Sequence, residues 1–198
     1  IATSIQANNL SSNFYIIDHY LYKKIVESFL KFRFEISLFE SALNKNYVKS
    51  IEIKINETSG IEKRSIFYDS TGALTDVGQN HALEMLALVT MDKFDKYNPV
   101  SFAEKREWAI KSFEVIDQSL ILGQYSSYKT IEGLERSCTE TFFKMELKLK
   151  SPRWRGVVAK IEGGKKLSKV EKEIKINFKN GDFLLISFNR NSEYIIAN

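Results

Sequence analysis

Two short stretches combine residue types that could do acid–base and anion-binding chemistry. In TDVGQNHALEMLALVTM, residues 75 to 91, His81 shares helical spacing with Val77, Met85 and Leu88. Such positions lie on one face of a helix, so the imidazole points with the apolar residues. A neutral core histidine with a hydrogen bond satisfies that pattern without any chemistry. An acid, Asp76, stands five residues earlier. A histidine beside a carboxylate can act as a general base, because the acid stabilises the imidazolium formed on proton uptake. The spacing does not say which carboxylate faces His81.

The second stretch is IDHYLYKK, residues 17 to 24. Asp18 stands at the N-cap of a helix, and His19 and Lys23 share a face one turn apart. Backbone N–H groups and the positive end of the helix dipole gather there, which suits a phosphate. A capping aspartate with a solvated lysine explains Asp18 and Lys23 without a ligand. In SIEIKINE, Ile51, Ile53 and Ile55 alternate with Glu52, Lys54 and Asn56, and the parity carries Glu57 onto the apolar face. Lys165 and Lys169 follow the Gly163-Gly164 pair. Carboxylates, imidazoles and lysines of this kind suit a small anionic, hydroxylated ligand.

These residues need elements to hold them. Helical periodicity runs from about Asp18 to Leu43, through Ile25, Phe29, Phe32, Ile36 and Phe39. A further helix follows Gly72, and another starts at Ser101 with Glu104 completing a capping box. After Gly123 the pattern turns to strands: TFFKMELKLK alternates strictly, RGVVAKIEGG is shorter, and EIKINF and DFLLISF flank Asn180-Gly181, a two-residue hairpin signal. Helices and strands alternate without a βαβ rhythm. The expectation is one α+β domain, a largely antiparallel, meander-like sheet with helices packed on one face. The GGKK run at 163 to 166 reads as a turn and is weak as a nucleotide motif. The chain shows no dinucleotide-binding domain of its own.

Composition narrows the function classes. The 198 residues are 43% hydrophobic and 13% aromatic, which marks a folded domain. The net charge of +4 is spread along the chain, so nucleic acid is not an expected partner. The single cysteine, Cys138, excludes a disulfide framework and fits a reducing, cytoplasmic compartment. His19 and His81 are the only histidines, and no metal site is expected. No apolar run is long enough to span a bilayer, and no signal peptide is visible. The missing initiator Met suggests a processed chain or a piece of a longer one.

The ordered motifs resemble those of the glucose-6-phosphate dehydrogenase family. IDHYLYKK is similar to the family's IDHYLGKE, and YDSTGALTDVGQNHALEMLALVTM to its helix containing QNH. NKNYV, ETSGIEKR, GQY, TETFFKMELKLKSPRWRGV and GGKKL continue the likeness in order, from about Phe14 to past Phe188. The resemblance implies that His81 takes the proton from the sugar C1 hydroxyl while hydride passes to NADP+. It implies that Asp18 pairs with His81, that His19 and Lys23 hold the phosphate, and that Glu57 and Asp76 bind sugar hydroxyls. Lys165 and Lys169 would complete the pocket. The implied substrate is glucose 6-phosphate, the implied pathway the oxidative pentose phosphate route, and the implied assembly a homodimer through the sheet domain.

Departures from the family pattern are visible too. Its glycine beside the phosphate lysine is Tyr22, its arginine before the sugar-binding acid is Thr75, a proline is lost at Val158, and Glu162 adds negative charge near Lys165. The Gly-rich nucleotide domain is missing, as is the end of the C-terminal domain. On this reading residues 1–198 are a truncated C-terminal domain, inactive in turnover alone. The rival expectation is a degenerate, non-catalytic homologue that binds a sugar phosphate or a partner protein.

Overall fold

A computed structural model of the chain describes residues 23–61, 64–94, 98–189 and 192–198. Its frame is an eight-stranded sheet among these residues. β1 (Val48–Asn56) lies in the middle. On one side are β2 (Phe113–Val115), β3 (Ile121–Gly123), β4 (Phe142–Leu149) and β5 (Val158–Gly164). On the other are β6 (Glu171–Phe178), β7 (Phe183–Asn189) and β8 (Ser192–Ala197). The order is β2-β4-β5-β1-β6-β7-β8, with β3 also pairing β4. Neighbours are antiparallel except β1 and β5, which are parallel. The sheet therefore departs from a simple meander: β5 and β6, consecutive in sequence, are parted by β1. A parallel pair needs a long crossover, and the chain between β1 and β5 carries the helices of residues 65–111 together with β2, β3 and β4.

Strand alternation sorts the side chains onto two faces. Met145, Ile161, Ile53, Ile174 and Ile186 stand in register across five strands, all essentially buried. Burying each such side chain contributes about 1.5–3 kcal/mol. One step along, the other face carries two charged rows, Glu146–Lys160–Glu52–Lys175 and Lys144–Glu162–Lys54–Glu173.

The helices pack against the apolar face. α1 (Lys24–Glu35) buries Ile25, Val26 and Phe29. The expected continuous helix to Leu43 breaks at Ile36, whose backbone is extended, before α2 (Ser37–Ala42). The break lets Glu40 fold back onto buried Arg33, whose Nε donates to Glu40 Oε2 at 2.6 Å. Arg33 also donates to the carbonyls of Leu88 and Met91, and Arg153 bonds Glu40 from the other side at 2.7 Å. α3 (Ser65–Asp69) leads into a π-helical segment, Leu74–Ala82, and on into α4 (Leu83–Thr90). α5 is Pro99–Lys111, capped by Asn98, whose side chain accepts from Val100 N–H at 2.8 Å. The expected start at Ser101 is thus displaced: Asn98 reaches the open N–H groups and Pro99 suits the first helical position. The β6–β7 hairpin forms at Asn180-Gly181, but its loop is longer than two residues, with Phe178 N–H closing on Asp182 O at 2.8 Å.

Candidate functional site

Polar side chains gather at the end of the sheet where β1 and β5 stop and β6 begins. Glu57 follows the last residue of β1. Its N–H donates to Gly164 O at 2.9 Å, and its carbonyl accepts from Leu167 N–H at 2.9 Å. These bonds pin the loop after β5 beside Glu57 and bring Lys165 with it. Lys165, 7% exposed, donates to Glu57 Oε2, and Lys172 of β6 donates to Oε1. Burial pushes the Glu57 carboxyl up, but the hydrogen bonds from Lys165 and Lys172 outweigh it and hold it at about 2. Glu57 is therefore an ionised acceptor at neutral pH. Each ammonium has three donors, so one bond to Glu57 leaves others for a ligand.

The π-helical segment lies over this end of the sheet. A Cβ at Gly163 would stand 2.9 Å from the Phe143 ring and 3.1 Å from Val77 Cγ1. Glycine there lets the helix seat on β5. The start of the helix is held by Glu140: Leu74 N–H donates to its Oε1 at 3.0 Å and Ala73 N–H to its carbonyl at 3.0 Å. Gly72, with φ +74°, passes so close to that carboxylate that any Cβ would overlap it.

The spacing predicted an α-helix through His81, but the ladder here is wider. Leu83 N–H reaches back to Gly78 O, five residues earlier. A ladder of this width sets positions 76 and 81 one turn apart along the axis. An α-helix would turn them well apart. Both side chains are half-buried, and His81 Nδ1 is shut off from solvent. Asp76 lies 3.9 Å from the exposed Arg64. Burial first, then the charges of Asp76 and Glu140, push the fully buried Tyr68 phenol up, so it stays a neutral hydroxyl.

Of the other expected site residues, Lys23 immediately precedes α1, and its Nζ donates to Phe188 O at 3.0 Å. Asp18, His19 and Tyr22 lie outside the described residues. Lys169 is not brought to Glu57: its Nζ lies 2.9 Å from Glu171, which also takes Lys54 at 3.3 Å and Asn56 at 3.2 Å on the charged face. Glu162 belongs to that face too, accepting from Asn56 at 3.1 Å, so its charge is not aimed at Lys165. Gly163-Gly164, read partly as a turn, completes β5 instead.

Two participants were missed from sequence. Lys172 carried a legible signal, since it shares the parity of Ile174 and Ile176, the same argument that picked out Glu57. Glu140 carried none, because its role depends on a contact 66 residues away in sequence. Among the described residues no group of three or more His, Cys, Asp and Glu could hold a metal ion. A cavity of about 450 Å³ lined by Phe32, Phe39, Tyr47 and Phe178 lies at the opposite end of β6 and is largely apolar.

Comparison with known proteins bears on this geometry. The family model described as glucose-6-phosphate dehydrogenase, C-terminal domain, matches residues 30–197. Glucose-6-phosphate 1-dehydrogenase of Borreliella burgdorferi is 36% identical over 194 residues, covering 90% of this chain and 40% of that protein. The enzyme of the same name from Chlamydia muridarum is 32% identical over 195 residues, covering 92% of this chain and 38% of that protein. A solved structure of glucose-6-phosphate dehydrogenase in complex with its substrate glucose-6-phosphate superposes with a TM-score of 0.89 at 31% identity, over 99% of this chain and 45% of that one. The chain thus spans less than half the length of these three relatives. Across the described sheet and helices, the chain belongs to the glucose-6-phosphate dehydrogenase family, as a stretch of its C-terminal domain.

Proposed function

We propose that this chain is the substrate-binding part of an NADP-dependent glucose-6-phosphate dehydrogenase, oxidising glucose 6-phosphate at C1 to 6-phosphogluconolactone in the oxidative pentose phosphate pathway of the cytoplasm. The observation that carries the reading is the ionised Glu57 between Lys165 and Lys172, beneath the helix that bears Asp76 and His81. Glu57 and Asp76 accept from sugar hydroxyls. Lys165 neutralises Glu57 and orients the ring, while Lys23, with His19, takes the phosphate. His81 removes the C1 hydroxyl proton, and Asp18 steadies the imidazolium. Oxidation also requires NADP+ to accept the hydride. Among the described residues no Gly-rich turn joins a strand to a helix, so the dinucleotide is assigned to residues of the parent beyond this chain.

The charged face of the sheet is the proposed homodimer surface. Its rows alternate in sign, so a second copy can meet them with opposite charges in register. A monomer mass in sedimentation would remove this assembly.

Calorimetric titration of glucose 6-phosphate into the chain, beside Lys23→Ala, tests the substrate. The expected outcome is binding that the substitution weakens by about tenfold, roughly 1.4 kcal/mol. No binding by the folded chain would favour the non-catalytic homologue instead.

A further inference from the structure

We infer that Lys172 is a substrate-binding residue that joins the sugar and phosphate ends of the site, the place the sequence suggested for Lys169. This rests on the sugar-phosphate reading above. β6 pairs with β7 so that Glu173 faces Ser187. Continued by one residue, that register sets Lys172 opposite Phe188, the residue whose carbonyl accepts from Lys23. On its other edge β6 sets Lys172 opposite Ile55, and Glu57, two residues beyond, takes the Lys172 ammonium. Along the end of the sheet the order is therefore Lys165, Glu57, Lys172, Lys23. Lys172 stands between the carboxylate assigned to the hydroxyls and the lysine assigned to the phosphate.

Charge supports the same assignment. Lys165 and Lys172 share the one carboxylate of Glu57, a surplus of one positive charge within that trio. A phosphate monoester carries about −1.5 to −2 at pH 7. A sugar without phosphate would give that surplus nothing to neutralise. Lys169 is differently placed. Successive strand residues point to opposite faces, so Glu171 leaves the face that Lys172 shares with Ile174, and Lys169 goes with Glu171. Lys169 is 69% exposed, against 20% for Lys172.

The test is titration of glucose 6-phosphate and of glucose into the chain and into Lys172→Ala, Lys172→Arg and Lys169→Ala, with thermal melts to show that each folds. Lys172→Gln, which keeps most of the stem, replaces the alanine variant if that one does not fold. Lys172→Ala is expected to weaken glucose 6-phosphate by about tenfold or more and glucose by less than about threefold. Lys172→Arg should recover most of the loss, and Lys169→Ala should stay within about threefold. Unchanged affinity in Lys172→Ala, or an equal loss in Lys169→Ala, overturns the assignment while leaving the substrate in place. A folded, unsubstituted chain that binds no glucose 6-phosphate overturns the substrate reading and this assignment with it.

Discussion

The two faces of the sheet use charge in opposite ways. On the charged face every lysine in the two rows has a glutamate opposite it, and the rows cancel. Several of those side chains are substantially exposed, so water and salt screen what attraction remains. On the helix-covered face charge is scarce. It collects at one end of the strands, where Lys165 and Lys172 share Glu57 and positive charge is in surplus. The difference teaches that counting charges locates no site. Imbalance in a sheltered place does, because unneutralised charge beside apolar surface persists where a ligand completes it.

Substitutions can break or sharpen this contrast. The largest effect is expected at His81. In a parent chain that carries its nucleotide-binding domain, His81→Asn should lower kcat by about 10²–10⁴-fold with little change in KM. Steady-state NADPH formation reads this, and a loss under about tenfold would take the base away from His81. Next is the seat of the helix. Gly163→Ala sets a methyl against Phe143, Val77 and the Ile55 carbonyl, and should cost about 1–3 kcal/mol. An unchanged melting temperature would mean that the helix does not bear on β5 there.

Glu57 gives a pH signature. Its carboxyl is held at about 2, below its ordinary 4.5, so the folded state favours the ionised form. The resulting stability is complete above pH 4.5 and is lost as pH falls toward 2. Glu57→Gln should therefore be less stable than the parent at neutral pH, with the gap closing across that window in pH-dependent melts. A constant gap would show that the lysines do not act on Glu57 through its charge. The smallest effect belongs to the charged face. In a denaturant titration of the monomer, Lys160→Ala should change stability by no more than about 0.5 kcal/mol. A loss as large as that of Gly163→Ala would end the contrast between the faces.

Much of this arrangement was legible before any coordinates. The alternation in SIEIKINE and TFFKMELKLK marked the covered face, and Ile51, Ile53, Ile55 and Phe143 are buried on it. The same parity turned Glu57 inward, and the motifs named the family that the comparisons show. Such features are local. They follow from the two-residue period of a strand, the turn of a helix and the order of residues along one chain. The remainder is set by contacts between residues far apart in sequence. β1 enters between β5 and β6 because its apolar face fits the row from Met145 to Ile186, which no local period announces. The π-helical turn that carries Asp76 and His81 rests on β5 and is held at its start by Glu140, from the loop before β4. Two lysines three residues apart on the chain part company because Glu171 and Lys172 face opposite sides of β6. Long-range pairing of strands, not the lysines' own neighbourhood, selects which of them reaches Glu57.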